Sequence, residues 1–107
     1  MPKGHRFAIV YAPVTREHLR PIPRRELGLL RRAIEAHLGD EPERETANCR
    51  LLGPTTEVEA EWELRCGPHN RLRVFYTVDR QRKRVRVIAM GVKVGGRLKI
   101  GREEVVL

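Results

Sequence analysis

The sequence predicts an α+β fold: a small antiparallel sheet in β-α-α-β-β-β order, with two N-terminal helices packed on one face. Three observations point there. Apolar residues at helical spacing come early in the chain, strict polar–apolar alternation comes late, and short turn-forming loops separate the alternating runs. The chain of 107 residues reads as one domain, 1–107, long enough to bury roughly 60–70% of its unfolded surface.

Residues 6–12, "RFAIVYA", are rich in β-branched and aromatic side chains and end at Pro13, as a first strand would. Thr15 then offers an N-cap, with Glu17 in the first turn, for a short helix closed by Pro21. Pro23 suits the first position of a second helix and Gly39 its exit. Leu27, Leu30, Ile34 and Leu38 recur at spacings of three and four and so share one face, the signature of a helix covering a sheet. Residues 40–60 read as a connection, part of it ordered against the core because a structureless loop that long is rare in a compact domain. Strands follow at "EWELRC" (61–66), "RLRVFYTV" (71–78) and "RVRVIAMG" (84–91). The linking "GPHN" and "DRQRK" favour hairpins, and "RLKI" and "EEVVL" supply short edge pieces.

Charge is distributed unevenly. The chain carries 22 Lys and Arg against 14 Asp and Glu, a formal net of +8. Residues 65–102 hold twelve of the cations and a single acid, Asp79. Such asymmetry bears on partners rather than on fold. Period-two alternation places Leu72, Val74, Tyr76, Val78, Val85, Val87 and Ala89 toward the helices. It places Arg71, Arg73, Arg84 and Arg86 together on the open face. Like charges on neighbouring strands repel unless an anion meets them, so the last long hairpin reads as a phosphate-facing surface. Two cysteines, Cys49 and Cys66, make no disulfide framework and point to reduced thiols in a cytoplasmic protein. No apolar run approaches the roughly 18 residues of a membrane span. His5, His18, His37 and His69 have no ligand spacing, so neither a metal nor a cofactor is expected.

The ordered set "ETANCRLL", "EWELR", "RLRVFYTVD", "VRVIAMGVKVGGRL" and "IGREEV" resembles the RelE/ParE superfamily of toxins from type II toxin–antitoxin systems. The resemblance implies a sheet curved around two N-terminal helices, a cognate antitoxin as partner, and one of two targets. RelE-like members enter the ribosome and cleave messenger RNA without a metal, by attack of the 2′-hydroxyl; ParE-like members poison DNA gyrase. Carried over position by position, it implies that Arg73, Lys93 and Arg65 serve as phosphate-handling catalytic residues. Where the chain departs from that pattern, Glu63 is a candidate general base; the alternation and the resemblance together give Arg71, Arg73, Arg84, Arg86, Lys93 and Arg97 as nucleic-acid contacts. Guanidinium forks suit phosphate oxygens. Glu61 and Glu63 stand where RelE-type nucleases carry lysines, and no tyrosine follows Tyr76, which weights binding over cleavage. A non-toxic nucleic-acid-binding domain is a third reading. Trp62 and Phe75 are candidates to stack on bases, and His69 to shuttle a proton; a turn histidine and core aromatics are the plainer expectations.

Overall fold

The computed structural model describes residues 6–53 and 58–105. Among these it forms two α-helices and a seven-stranded sheet. The elements run β1 (Ala8–Tyr11), α1 (Thr15–His18), α2 (Arg24–Leu38), β2 (Cys49–Leu51), β3 (Trp62–Cys66), β4 (Leu72–Asp79), β5 (Arg84–Val94), β6 (Arg97–Ile100) and β7 (Glu103–Val105). Strands β2 to β7 lie side by side in chain order and antiparallel, while β1 joins the edge of β5 in parallel. The α+β class holds. The sheet, however, has more strands than the expected order contains, because part of the 40–60 connection folds into β2 and the two C-terminal edge pieces pair as β6 and β7.

Helix α2 begins one residue later than expected. Pro23 is its N-cap, with extended ψ of 137°, and supplies the fixed φ from which the first turn starts. Leu30, Ile34 and Leu38 are buried along it and pack, with Ile22, against Leu64, Leu72, Val74, Tyr76, Val85, Val87 and Met90 of the sheet. Thr15 is the first residue of α1 rather than its cap; its buried hydroxyl donates back to the Ala12 carbonyl at 2.7 Å.

The long hairpin departs from strict alternation at one point. Phe75 pairs with Ala89 and Tyr76 with Val87, so Ile88 is an extra residue on β5. Such a bulge reverses the faces beyond it. Val85 and Val87 point toward the helices as expected. Ala89 turns to the opposite, outer face, and Met90 takes its place in the core. The outer face is not open along its length either: Val58 packs over Phe75, Ala89 and Leu98, with Leu52 and Ala60 beside them.

The aromatic side chains proposed to stack on bases are core residues. Phe75 is fully buried under Val58, and Trp62 stacks on Tyr76 with ring centroids 6.3 Å apart and planes 12° from parallel. Tyr76 donates its hydroxyl to the Pro42 carbonyl at 2.5 Å, leaving the Cys49 thiol, 3.0 Å away, to donate to the Tyr76 oxygen. Burial, helped by that thiol, pushes the phenol far above its ordinary range. Tyr76 therefore ties the 40–48 segment to the sheet. Cys49 and Cys66 are both buried free thiols, and burial pushes Cys66 up to about 11.

Candidate nucleic-acid interface

The site is organised around one carboxylate. Glu63 lies on β3, with Arg50 of β2 on one side in register and Phe75 of β4 on the other. Two residue pairs further along, on the same face, Arg65 stands opposite Arg73, two cations directly across a ladder. That arrangement is repulsive in isolation. Glu63 resolves it by accepting from three guanidinium groups: Arg50 Nε at 2.9 Å and Arg65 Nε at 3.5 Å, both on Oε1, and a terminal nitrogen of Arg73 at 3.0 Å on Oε2. The carboxylate is completely buried. Burial by itself would raise its pKa; the hydrogen bonds from Arg50 and Arg73 and their charges outweigh that and hold it below the usual carboxylate value.

Arg73 is nearly as buried as its partner, and its Nε donates to the Asn70 carbonyl at 2.9 Å. That acceptor comes from the "GPHN" turn, where His69 and Asn70 both take left-handed backbone angles, φ 56° and 53°. Gly67 opens the turn at φ 77°, where a Cβ would meet the Leu72 side chain at 2.7 Å. The tight turn thus aims a carbonyl at a guanidinium that β4 alone could not satisfy.

Lys93 completes the group. Arg73 pairs with Gly91 of β5, so Lys93, two residues on, lies on the same outer face of the adjoining strand. It is exposed and forms no ion pair among the described residues. Four cations therefore share one face: Arg50, Arg65 and Arg73 gather on the carboxylate, and Lys93 stands near Arg73 on the adjoining strand, away from it. Arg50 and Arg65 keep half and about a third of their side-chain surface, and Lys93 is open. These three can touch a phosphate, while Arg73 works from beneath.

The structure brings together Arg65, Arg73, Lys93 and Glu63, and separates the other expected contacts from them. Arg71 turns to the helix side and pairs with the buried Glu26 in the first turn of α2. Arg97 also lies on the helix side, since its neighbour Leu98 is the residue that faces outward opposite Lys93; Arg97 meets Glu104 at 3.7 Å. Arg84 and Arg86 do face outward and are exposed, but Arg86 pairs with Thr77, four residues from Arg73. At ~3.3 Å per residue that is about 13 Å along the strand, with the covered Phe75 between. The single concave cluster of Arg71, Arg73, Arg84 and Arg86 is not formed. Glu63 is likewise no general base: a carboxylate sealed under three guanidinium groups reaches no 2′-hydroxyl. Arg50 was missed because its strand, "CRL", is three residues long, too short for alternation to mark it.

No helix among the described residues is long and apolar enough to cross a membrane. Comparison with family models, with curated proteins and with solved structures yields no match to this chain.

Proposed function

We propose that this is a RelE/ParE-like protein that binds RNA on the ribosome through Arg50, Arg65, Arg73 and Lys93, and that occupancy rather than strand cleavage is its activity. One observation carries the reading: a buried carboxylate holds three guanidinium groups in place on one sheet face, and Lys93 lies exposed on that face near Arg73. Guanidinium groups fixed before binding lose little freedom when a phosphate arrives, and their forks match its oxygens. Arg50, Arg65 and Lys93 contact successive phosphates, while Arg73 is a positioning residue, held by Glu63 and Asn70.

Cell-free translation with messenger primer extension tests it. Translation should fall at micromolar protein without new 5′ ends; undisturbed translation would remove the proposal, and new 5′ ends would convert it into a nuclease. Binding of a single-stranded RNA oligonucleotide should weaken with salt at a slope of roughly −2 for three phosphates, and the R65A/K93A double variant should reduce that slope by roughly 1.4. A ParE-like contact with DNA gyrase is the second reading, favoured by the exposed apolar run Val10, Tyr11 and Val14; a supercoiling assay separates the two.

A further inference from the structure

Strand β4 occupies one edge of β5 from Arg84 to Val92, so β1 and β6 share the other. There β1 takes Arg84 to Val87 and β6 takes Gly91 to Val94, which leaves a gap between them. Helix α1 fills it with His18: the Met90 amide donates to His18 Nδ1 at 3.2 Å. A ring nitrogen that accepts carries no proton, so the proton of the neutral imidazole sits on Nε2. Burial holds this imidazole below its ordinary pKa, against the opposing pull of Glu103 and Glu17, and keeps it neutral at neutral pH. The ring edge that includes Nε2 turns toward Gly101, where a Cβ would stand 3.4 Å from His18 Cδ2. Gly101 lies at φ 64° in the turn between β6 and β7.

Two cavities of about 630 and 190 Å³ open beside this histidine, and Pro21, Lys99 and Gly101 line both. They form one cleft between the connection from α1 to α2 and the turn from β6 to β7. A cleft of this size falls within the roughly 300–1,000 Å³ of small-molecule sites. Its two ends differ in chemistry. The larger is cationic, with Arg20, Lys99 and Arg102 against one acid, Glu17, which Arg20 already engages at 3.1 Å. Glu104 is in register with Lys99 but meets Arg97 instead, at 3.7 Å. Lys99 and Arg102 form no ion pair among the described residues. The smaller end is apolar, walled by Pro21, Val92 and Val94, with His18 as its one neutral polar side chain.

We propose that this cleft binds a nucleoside monophosphate, a flat ring system that carries a single phosphate. The phosphate sits among Arg20, Lys99 and Arg102, of which two give up no carboxylate to receive it. The base lies against Pro21, Val92 and Val94, and one of its ring acceptors takes the His18 Nε2 proton. A lone donor in an apolar wall fixes the orientation of such a ring. Inorganic phosphate would leave the apolar end and the Nε2 donor unused, and an uncharged nucleoside would leave the cations unmatched. These residues lie on the helix side of the sheet, where Lys99 pairs with Val92. None belongs to the Glu63 cluster, so the cleft stands or falls apart from the RNA reading.

Titration of the full-length, nitrogen-15-labelled protein with adenosine 5′-monophosphate tests it by nuclear magnetic resonance. The amide signals of Arg20, Lys99, Gly101 and Arg102 should shift saturably, and the His18 Nε2 signal should move with them. Adenosine and inorganic phosphate, the two halves of the probe, should each bind at least about tenfold more weakly. The K99A/R102A double variant should weaken nucleotide binding by at least about tenfold as well. Should that variant not fold, Val94→Glu changes a side chain that is 63% exposed, leaves the cations in place and should weaken binding to a similar degree. Four results would overturn the proposal: no saturable shift in the cleft; shifts confined to Arg50, Arg65 and Lys93; adenosine or inorganic phosphate binding as tightly as the nucleotide; or unchanged affinity in K99A/R102A. Displacement of the nucleotide by a short oligouridylate at equal phosphate concentration would assign the cleft to a nucleic acid strand and refute it too.

Discussion

At one end of the outer face Arg73 is buried and donates to Glu63 and to the Asn70 carbonyl; at the other, Arg84 and Arg86 are exposed and unpaired among the described residues. Both ends arise from the same alternating pattern on the same two strands. The difference comes from what lies alongside. Beside Arg73, β3 supplies a carboxylate and the turn supplies a carbonyl, so a guanidinium can leave water with its donors satisfied. Beside Arg84, the cross-strand partner is Asp79, whose carboxylate instead accepts the Arg82 amide at 3.1 Å and closes the hairpin turn. An acid in register is therefore insufficient; it must be free to turn toward the cation.

The contrast predicts a large energetic asymmetry between the two ends. Glu63→Gln should have the greatest effect, lowering unfolding stability by about 3 kcal/mol in urea titration, because three guanidinium groups would be left around an uncharged amide. An effect under about 1 kcal/mol would mean that the cluster is solvated rather than sealed. Arg73→Ala should follow, costing about 2 kcal/mol, since Glu63 would keep Arg50 and Arg65 as partners. Arg73→Lys should recover little of this, because a single ammonium cannot reach both Glu63 and the Asn70 carbonyl in the fork geometry.

Acid should expose the same asymmetry. The folded state holds the Glu63 pKa below its unfolded value of 4.5. Its contribution is therefore fully present above pH 4.5 and fades as pH falls toward the folded value, because the unfolded chain then binds the proton more readily. Thermal melts of the wild type and of Glu63→Gln between pH 6 and 3 should converge on acidification. Melts that stay parallel would place the acid sensitivity elsewhere. The smallest effect belongs to the other end: replacing Arg84 and Arg86 together by alanine should change stability by no more than about 0.5 kcal/mol.

Much of the architecture was legible from residue order. Leu27, Leu30, Ile34 and Leu38 announce α2 through spacing alone, and the alternation of 71–78 and 84–87 announces the hairpin, because a strand with one buried face has to alternate. Beyond Val87 that reading fails. Nothing in "RVRVIAMG" marks Ile88 as extra, and a single unpaired residue exchanges the faces of Ala89 and Met90. Strand β2 was hidden for another reason: three residues are too few for a period to show, and they become a strand only because β3 is present to pair with them. The candidate site was half legible. Arg65, Arg73 and Lys93 could be selected by type and position, whereas the roles of Glu63 and Arg50 depend on which residues stand opposite one another.

Composition and order by themselves determined the fold class, the helix-covered face of the sheet, and the concentration of positive charge in residues 65–102. Those features follow from local periodicity and from counting, which need no knowledge of neighbours. Tertiary structure decided which cations meet a carboxylate and which meet water, and with that the division of one basic hairpin into two dissimilar ends. Ion pairing and burial are properties of the register between strands and of what packs over them, and neither is written in any one strand.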